Sequence, residues 1–455
     1  MPEIIADNIS IISSAELEGA TRIEAEYYNN PSLIKKNFLI GENVIDFVQY
    51  GTSKDLNEES DGFPVLRLNE FDGNFITTPS KYCNKITTAT FHSLLLKKGD
   101  LLVCRTNGNP KLVGKSALVM EDSNTAFASY LFRVRPRVSL INSTTLSMFL
   151  ESSIGRREIE RNLLVSNQSN FSPAKLRDIK VPIFPADFQL AVNEIVTSAY
   201  QYNKQGVLLY FKAEALLLDE LGIKDIDISH EPCYEVKSTD AFTANRIDAE
   251  YYQPKYEKII DAIKKCRYGW CELADKITNI TDKHDPAKGP ENDFRYIELS
   301  NINPSIGIID GYSELKGKDL PSRARMLIKE GDVIISSVEG SIDKVALVDN
   351  FHDGCLASTG FFVFRNKSNM IPEYVLALCK SVLIQKQLEK FSSGTILAAV
   401  PKNLVQNLII PDIPKEAQKE VANLVQQSHA ARRQAKRLLE EAKRKVEEMI
   451  EKSGE

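Results

Sequence analysis

The sequence predicts an α+β protein. It has two tandem domains of mixed β-sheet and short helices, joined by two long antiparallel coiled-coil helices. Three observations lead there. The first is a phrase written twice: Arg22 to Pro31 reads RIEAEYYNNP, and 224 residues later Arg246 to Tyr256 reads RIDAEYYQPKY. The second is a series of landmarks at nearly that offset. FPVLRLNEF (63–71) matches FRYIELSNI (294–302) at 231, KKGDLLVCRTNG (97–108) matches KEGDVIISSVEG (329–340) at 232, and ASYLFRV (128–134) matches ASTGFFVFR (357–365) at 229. Pro173 pairs with Pro401, and Gln189 with Gln418. So small a drift marks a duplicated module of roughly 225 residues, too long for a solenoid repeat. The third is a heptad-like seam near the end of each copy.

The elements follow in order. Short β-type runs come first: VLRLN, LLVCR, SALVM and SYLFRVRP in copy one, then VIISSV, VALVD and GFFVFR in copy two. Gly, Asn, Asp and Pro separate them. A helix over 144–164, and over 372–391 in the second copy, is followed by an apolar extended piece with prolines, IKVPIFP or LIIPDIP. A long helix closes each copy. Its seam in copy one is Val192, Ile195, Ala199, Tyr202, Gly206, Leu209, Ala213 and Leu216. In copy two it is Val421, Leu424, Ser428, Ala431, Ala435, Leu438, Ala442, Lys445 and Met449. Neither helix can bury such a seam alone, so the two are expected to pack on each other. The resulting partition is a first globular domain over 1–184 and a helix over 185–222. An acidic connector over 223–245, a second domain over 246–413 and a second helix over 414–455 complete it.

Bulk properties narrow the function. The chain has 455 residues, enough for two to four domains. A content of 43% hydrophobic and 26% charged residues is that of a soluble globular protein. The opening MPEIIADNIS has neither the basic nor the apolar stretch of a secretory signal, and no apolar run reaches 18 residues. Seven scattered cysteines without CxxC spacing, and five histidines, argue against a disulfide framework or a metal site. A cytoplasmic setting with reduced thiols is expected. The net charge is −5, but it is unevenly spread. Residues 1–29 carry one basic and six acidic residues, and 223–250 carry three and seven; residues 30–150 carry fourteen basic and eleven acidic. Acid therefore gathers around the repeated phrase, and the first module has a positive balance.

No catalytic motif stands out. Residues 108–116, GNPKLVGKS, imitate a phosphate loop, but five residues separate the glycines where four are needed, and a β-type run follows. The stretch reads instead as a polar loop between strands that displays Arg105, Asn107, Asn109, Lys111 and Lys115. Such side chains suit phosphates and base edges. SNQSNFSP (166–173) adds Asn167, Gln168 and Asn170 ahead of a helix start; carboxamides can read adenine, and they also cap turns. In copy two the corresponding candidates are Arg323, Arg325, Ser337, Glu339 and Lys344. Tyr27, Tyr28, Tyr251 and Tyr252 of the repeated phrase lie in acidic surroundings that repel phosphate. They suit packing against the helical pair or a partner protein.

These features together resemble the specificity subunit of type I restriction–modification systems. The likeness rests on the tandem copies, QYGTS (49–53) before GFPVLRLNEFDGNF, KKGDLLVCRTNG with VGKSALV, the SNQSNFSP and SSGTILAAVP segments, and VPIFPADFQ and IIPDIPKEAQ leading into long helices. It runs along essentially the whole chain; QYGTS alone has only a blurred partner, NITDKHDP (279–286). The resemblance implies a non-catalytic protein without a cofactor, whose two domains each read half of a bipartite double-stranded DNA target. The helical pair would set the unread gap. The implied partners are two methyltransferase (M) subunits using S-adenosylmethionine, and nuclease/translocase (R) subunits. A two-headed protein adaptor without DNA binding is the alternative.

Overall fold

The computed structural model describes residues 3–6, 9–11, 25–163, 170–223, 226–392 and 399–454. Contacts divide the chain into two compact units, residues 1–202 with 433–455 and residues 203–432.

The first unit is built on a sheet in the order Ile45–Tyr50, Leu131–Pro136, Leu101–Cys104, Ser116–Leu118, Phe75–Ile76, Phe71–Asp72. The second has the counterpart Ile277–Asn279, Phe361–Asn366, Val333–Ser336, Val345–Leu347. Register is shared: Leu101 faces Val134 and Val103 faces Phe132, just as Val333 faces Phe364 and Ile335 faces Phe362. A smaller sheet recurs as well, with Ala126 parallel to Val65 in one unit and Leu356 parallel to Tyr296 in the other.

Alternation of side chains explains why LLVC is apolar throughout. Leu101 and Val103 enter the core beneath the helices, while Leu102 and Cys104 enter a second core under the smaller sheet. Val333 and Ile335 likewise point one way and Ile334 the other. A strand buried on both faces needs a continuous apolar run.

The KxGD turn is held the same way in both copies. Gly99 and Gly331 have φ of +89° and +83°, a conformation that favours glycine. Asp100 accepts the Lys97 N–H at 2.9 Å and the Arg135 Nε–H at 2.5 Å. Asp332 accepts the Lys329 N–H at 2.8 Å and both Arg365 donors at 2.8 and 2.7 Å. A second recurring clamp explains the matched glutamines. Gln189 Oε1 accepts from Asn142 N at 2.8 Å, and its Nε2 donates to the Phe184 carbonyl at 2.9 Å. Gln418 does the same with Ile371 N at 3.2 Å and the Ile413 carbonyl at 2.9 Å.

Two sequence expectations are corrected. Where one helix per copy is expected, there are two: Ser143–Glu151 then Ser153–Arg161, and Pro372–Lys380 then Val382–Phe391. The breaks fall at Ser152 and Ser381, both in extended backbone; each hydroxyl donates to the preceding turn, to Phe149 and Leu378. The chain doubles back so tightly that a Cβ at Gly155 would lie 1.8 Å from the Phe149 carbonyl oxygen.

The long helices are Ala186–Glu220 and Lys415–Gly454. In the second unit Gly206 meets Ser428 and Asn203 meets Arg432, so residue numbers fall on one helix as they rise on the other: the packing is antiparallel. In the first unit Val192, Val196 and Ala199 share a core with Leu439, Ala442, Val446 and Ile450. The seam is thus one residue off at alternate positions. Val196, Asn203, Tyr210 and Leu217 are buried where Ile195, Tyr202, Leu209 and Leu216 are expected, and Leu439, Val446 and Ile450 replace Leu438, Lys445 and Met449. In each unit the segments of both helices also pack on the globular core, which widens the buried face beyond a two-helix stripe.

Candidate nucleic-acid interface

In the first unit, strand Leu101–Cys104 leaves the core and opens into residues 105–115 before returning as Ser116–Leu118. A one-turn 3-10 helix, Pro110–Leu112, fills the loop, and no α-helix follows the glycine pair, so a phosphate loop is absent here. The Arg105 guanidinium lies over the Tyr50 ring, 5.3 Å from its centroid. The Arg105 carbonyl accepts from Phe171 N at 2.8 Å, and Thr106 bridges Asn170. The loop and the segment holding Asn170 therefore lie side by side. Asn167 and Gln168 lie outside the described residues.

Local hydrogen bonds define what the loop can offer. Asn107 Oδ1 accepts from Asn109 N at 2.8 Å, and Asn109 Oδ1 accepts from Lys111 N at 3.1 Å. With the carboxamide oxygens engaged in turns, these residues would approach a ligand as donors rather than as two-point adenine readers. Lys111 is exposed, and its carbonyl accepts from Arg156 at 3.2 Å. Tyr50 and Arg156 are members of this surface that sequence reading missed. Both are distant in the chain from the loop they touch, so no local pattern marks them.

The second unit repeats the frame with different chemistry. Val338 bridges Ala399 and the Ser337 carbonyl accepts from Val400 N at 2.9 Å, matching Thr106 and Arg105 in the first. Ser337 takes the place of Arg105. It is only 8% exposed, and its hydroxyl donates to the Gly360 carbonyl at 2.9 Å, so it serves the frame rather than a ligand. That expectation is corrected. Glu339 is exposed at the turn and Lys344 is half-buried at its end.

Beside this turn is an open cleft of about 530 Å³ lined by Lys283, His284, Asp285, Ser322, Arg323, Arg325 and Thr359. Arg323 is tied to the turn through its carbonyl, which accepts from Thr359 N at 2.8 Å, next to Gly360. Its guanidinium donates to Glu298 at 3.4 Å. Arg325 donates to Asp285 and to the Ser322 carbonyl. The Arg325 hydrogen bond holds the Asp285 carboxyl below its usual range. Lys283 and His284 join the cleft unannounced by any motif.

The four tyrosines are packing residues. Tyr27 and Tyr28 are 7% and 5% exposed and meet edge to face at 5.1 Å. Arg161 stacks 3.6 Å over the Tyr27 ring. Tyr251 and Tyr252 form the same T-shaped pair at 4.8 Å and are half-buried; Lys390, equivalent to Arg161, lies 5.1 Å over Tyr251. Arg246 adds a second cation at 4.4 Å and donates to the Ser392 carbonyl at 3.0 Å. The expectation of a partner surface is corrected for Tyr27 and Tyr28, which are too buried to offer one. In both units the pair braces the end of the helix that leads to residues 164–169 or 393–398.

Among the described residues no group of His, Cys, Asp and Glu could hold a metal ion, and no helix is long and apolar enough to cross a membrane.

No protein-family model matches the chain. Over 139 residues it is 27% identical to the Type I restriction enzyme HindI specificity subunit of Haemophilus influenzae. This chain is similar to a type I specificity subunit. The match spans 30% of the chain and 27% of that relative. Two solved structures align over 93% of the chain. One is the type I restriction–modification S subunit from M. genitalium (11% identity, TM-score 0.38, 97% of that protein covered), and the other is the HsdS subunit from Thermoanaerobacter tengcongensis (13%, 0.29, 98%). Scores this low leave the fold to be argued from the chain itself.

Proposed function

We propose that the protein is a non-catalytic DNA-recognition subunit of a type I restriction–modification complex. Domain 1–184 reads one half of a bipartite target and domain 246–413 reads the other. The paired helices set the gap, and methyltransferase and nuclease/translocase subunits supply the chemistry. One observation carries this reading: the same strand–turn–strand frame, flanked by the same second segment, is built twice and furnished differently. Arg105, Asn107, Asn109 and Lys111 occupy it in one copy, where Ser337 and Glu339 stand in the other. A shared scaffold with divergent tips is what two different half-sites require. The contact set proposed is Arg105, Asn107, Asn109, Lys111 and Asn170, with Asn167 and Gln168. In the second domain it is Arg323, Arg325, Glu339 and Lys344.

The test is to exchange residues 30–180 for the corresponding stretch of another specificity subunit and to map methylated adenines in cells carrying the methyltransferase. One half of the methylated site is expected to change and the other to persist. A change in both halves, or in neither, contradicts the assignment. Partner binding that ignores both DNA and salt would instead favour a protein adaptor.

A further inference from the structure

Near its middle the first long helix buries Asn203, and the second buries Arg432. The two are 229 residues apart, the spacing of Gln189 and Gln418, and so are equivalent positions of the repeat. They meet: Arg432 Nη1 donates to Asn203 Oδ1. Its Nη2 donates to Asp310 Oδ2 at 2.9 Å, and Asn303 Nδ2 donates to the same oxygen at 3.0 Å. One turn away, Ser428 Oγ donates to the Gly206 carbonyl at 2.7 Å, and His429 Nε2 donates to the Ile306 carbonyl at 2.8 Å. Asn303, Ile306 and Asp310 belong to the hairpin of Ile302–Asn303 with Ile308–Ile309 and its flank.

The rest of this unit's seam is apolar: Tyr210, Ala213 and Leu217 against Val421 and Val425. Apolar heptads tolerate a slip of seven residues, because each layer resembles the next. A buried polar contact does not. A slip would place Arg432 opposite Val196 or Tyr210, neither of which offers a carboxamide or carboxylate. In the first copy, at the positions equivalent to Ile306 and His429, Phe75 meets the Tyr200 ring edge to face at 5.2 Å.

We propose that Asn203, Arg432 and Asp310 form a register key. They fix which turn of one long helix faces which turn of the other, and tie the second domain's hairpin to that register. For DNA reading the inference rests on the helical pair being a spacer. All three are positioning residues.

Spin labels at Gln205→Cys and Gln427→Cys, both exposed positions, in a chain with Cys233→Ser and Cys271→Ser, report the register directly. The chain with its native key should give one narrow distance. The Asn203→Leu/Arg432→Leu/Asp310→Leu chain should stay helical and show a second distance population, since a one-heptad slip moves one helix about 10 Å along the other. Arg432→Leu alone should lower the melting temperature more than the triple change, because it takes the cation away from the Asp310 carboxylate. A triple variant that keeps a single narrow distance overturns the proposal. So does one that loses its helical fold, because a device for specificity is dispensable for stability. In the methyltransferase complex, mixed gap lengths should accompany the second distance. A second distance with one unchanged gap would leave the key standing and refute the spacer.

Discussion

Asp332 and Asp100 show how much a single buried carboxylate does here. Each caps a turn and fixes an arginine from the neighbouring strand, and each is 1% exposed. Asp332→Asn keeps the shape and removes the charge. It should cost about 2–3 kcal/mol in denaturant unfolding, somewhat below the loss typical of fully buried pairs because Arg365 keeps access to water. Lys380 gives a pH signature. Its ammonium donates to the Pro304 carbonyl, lies 5.1 Å over the Tyr210 ring, and is pushed down to about 8 by desolvation, against the pull of Glu214 and Asp343. A lysine with a lowered folded pKa is penalised below that value. Between about pH 8 and 10.4 the unfolded chain binds more protons, so stability rises with pH. Lys380→Met should remove that rise, about 2 kcal/mol, in unfolding curves compared between pH 7 and 10. Single residues were the least legible scale in the sequence. Ser337 reads as an exposed turn residue because the carbonyl that claims it belongs to Gly360, and the arginine that holds Asp100 is 35 residues away.

At the scale of elements, the repeat made strands, connections and long helices readable, because every signal occurs twice. The break between the short helices was not readable. It depends on close approach at Gly155 and on serine hydroxyls turned back on the preceding turn, which leave no periodic trace. Gly155→Ala should therefore be severe, costing more than about 2 kcal/mol and lowering the melting temperature, since the added carbon would overlap the Phe149 carbonyl. The one-residue error in the seam has a similar root. Ile195 and Val196, or Leu209 and Tyr210, are equally apolar, and only packing against a third surface selects one of each pair. Gly206 is legible in both ways: it breaks the apolar pattern, and a Cβ there would stand 3.1 Å from the Ser428 carbonyl oxygen. Gly206→Leu should push the helices apart at this layer and destabilise the chain by about 1–3 kcal/mol.

At the scale of the whole molecule, the duplication is the argument. The KxGD turn, the glutamine clamp and the tyrosine pair recur in both units, while the turns they support carry different side chains; that contrast is what the proposed reading of two half-sites rests on. The helices proposed to set the gap have 35 and 40 residues, or about 50 and 60 Å. The most direct test inserts one heptad into each long helix, after Tyr202 and after Arg432, which leaves the contacts of Asn203, Arg432 and Asp310 in place while adding about 10 Å. Methylated sites are then mapped in cells carrying the methyltransferase. Both half-sites should stay unchanged and the gap between them should lengthen by about 3 base pairs. Methylation at the original spacing, with both helices verifiably lengthened, would contradict a spacer role for the helices.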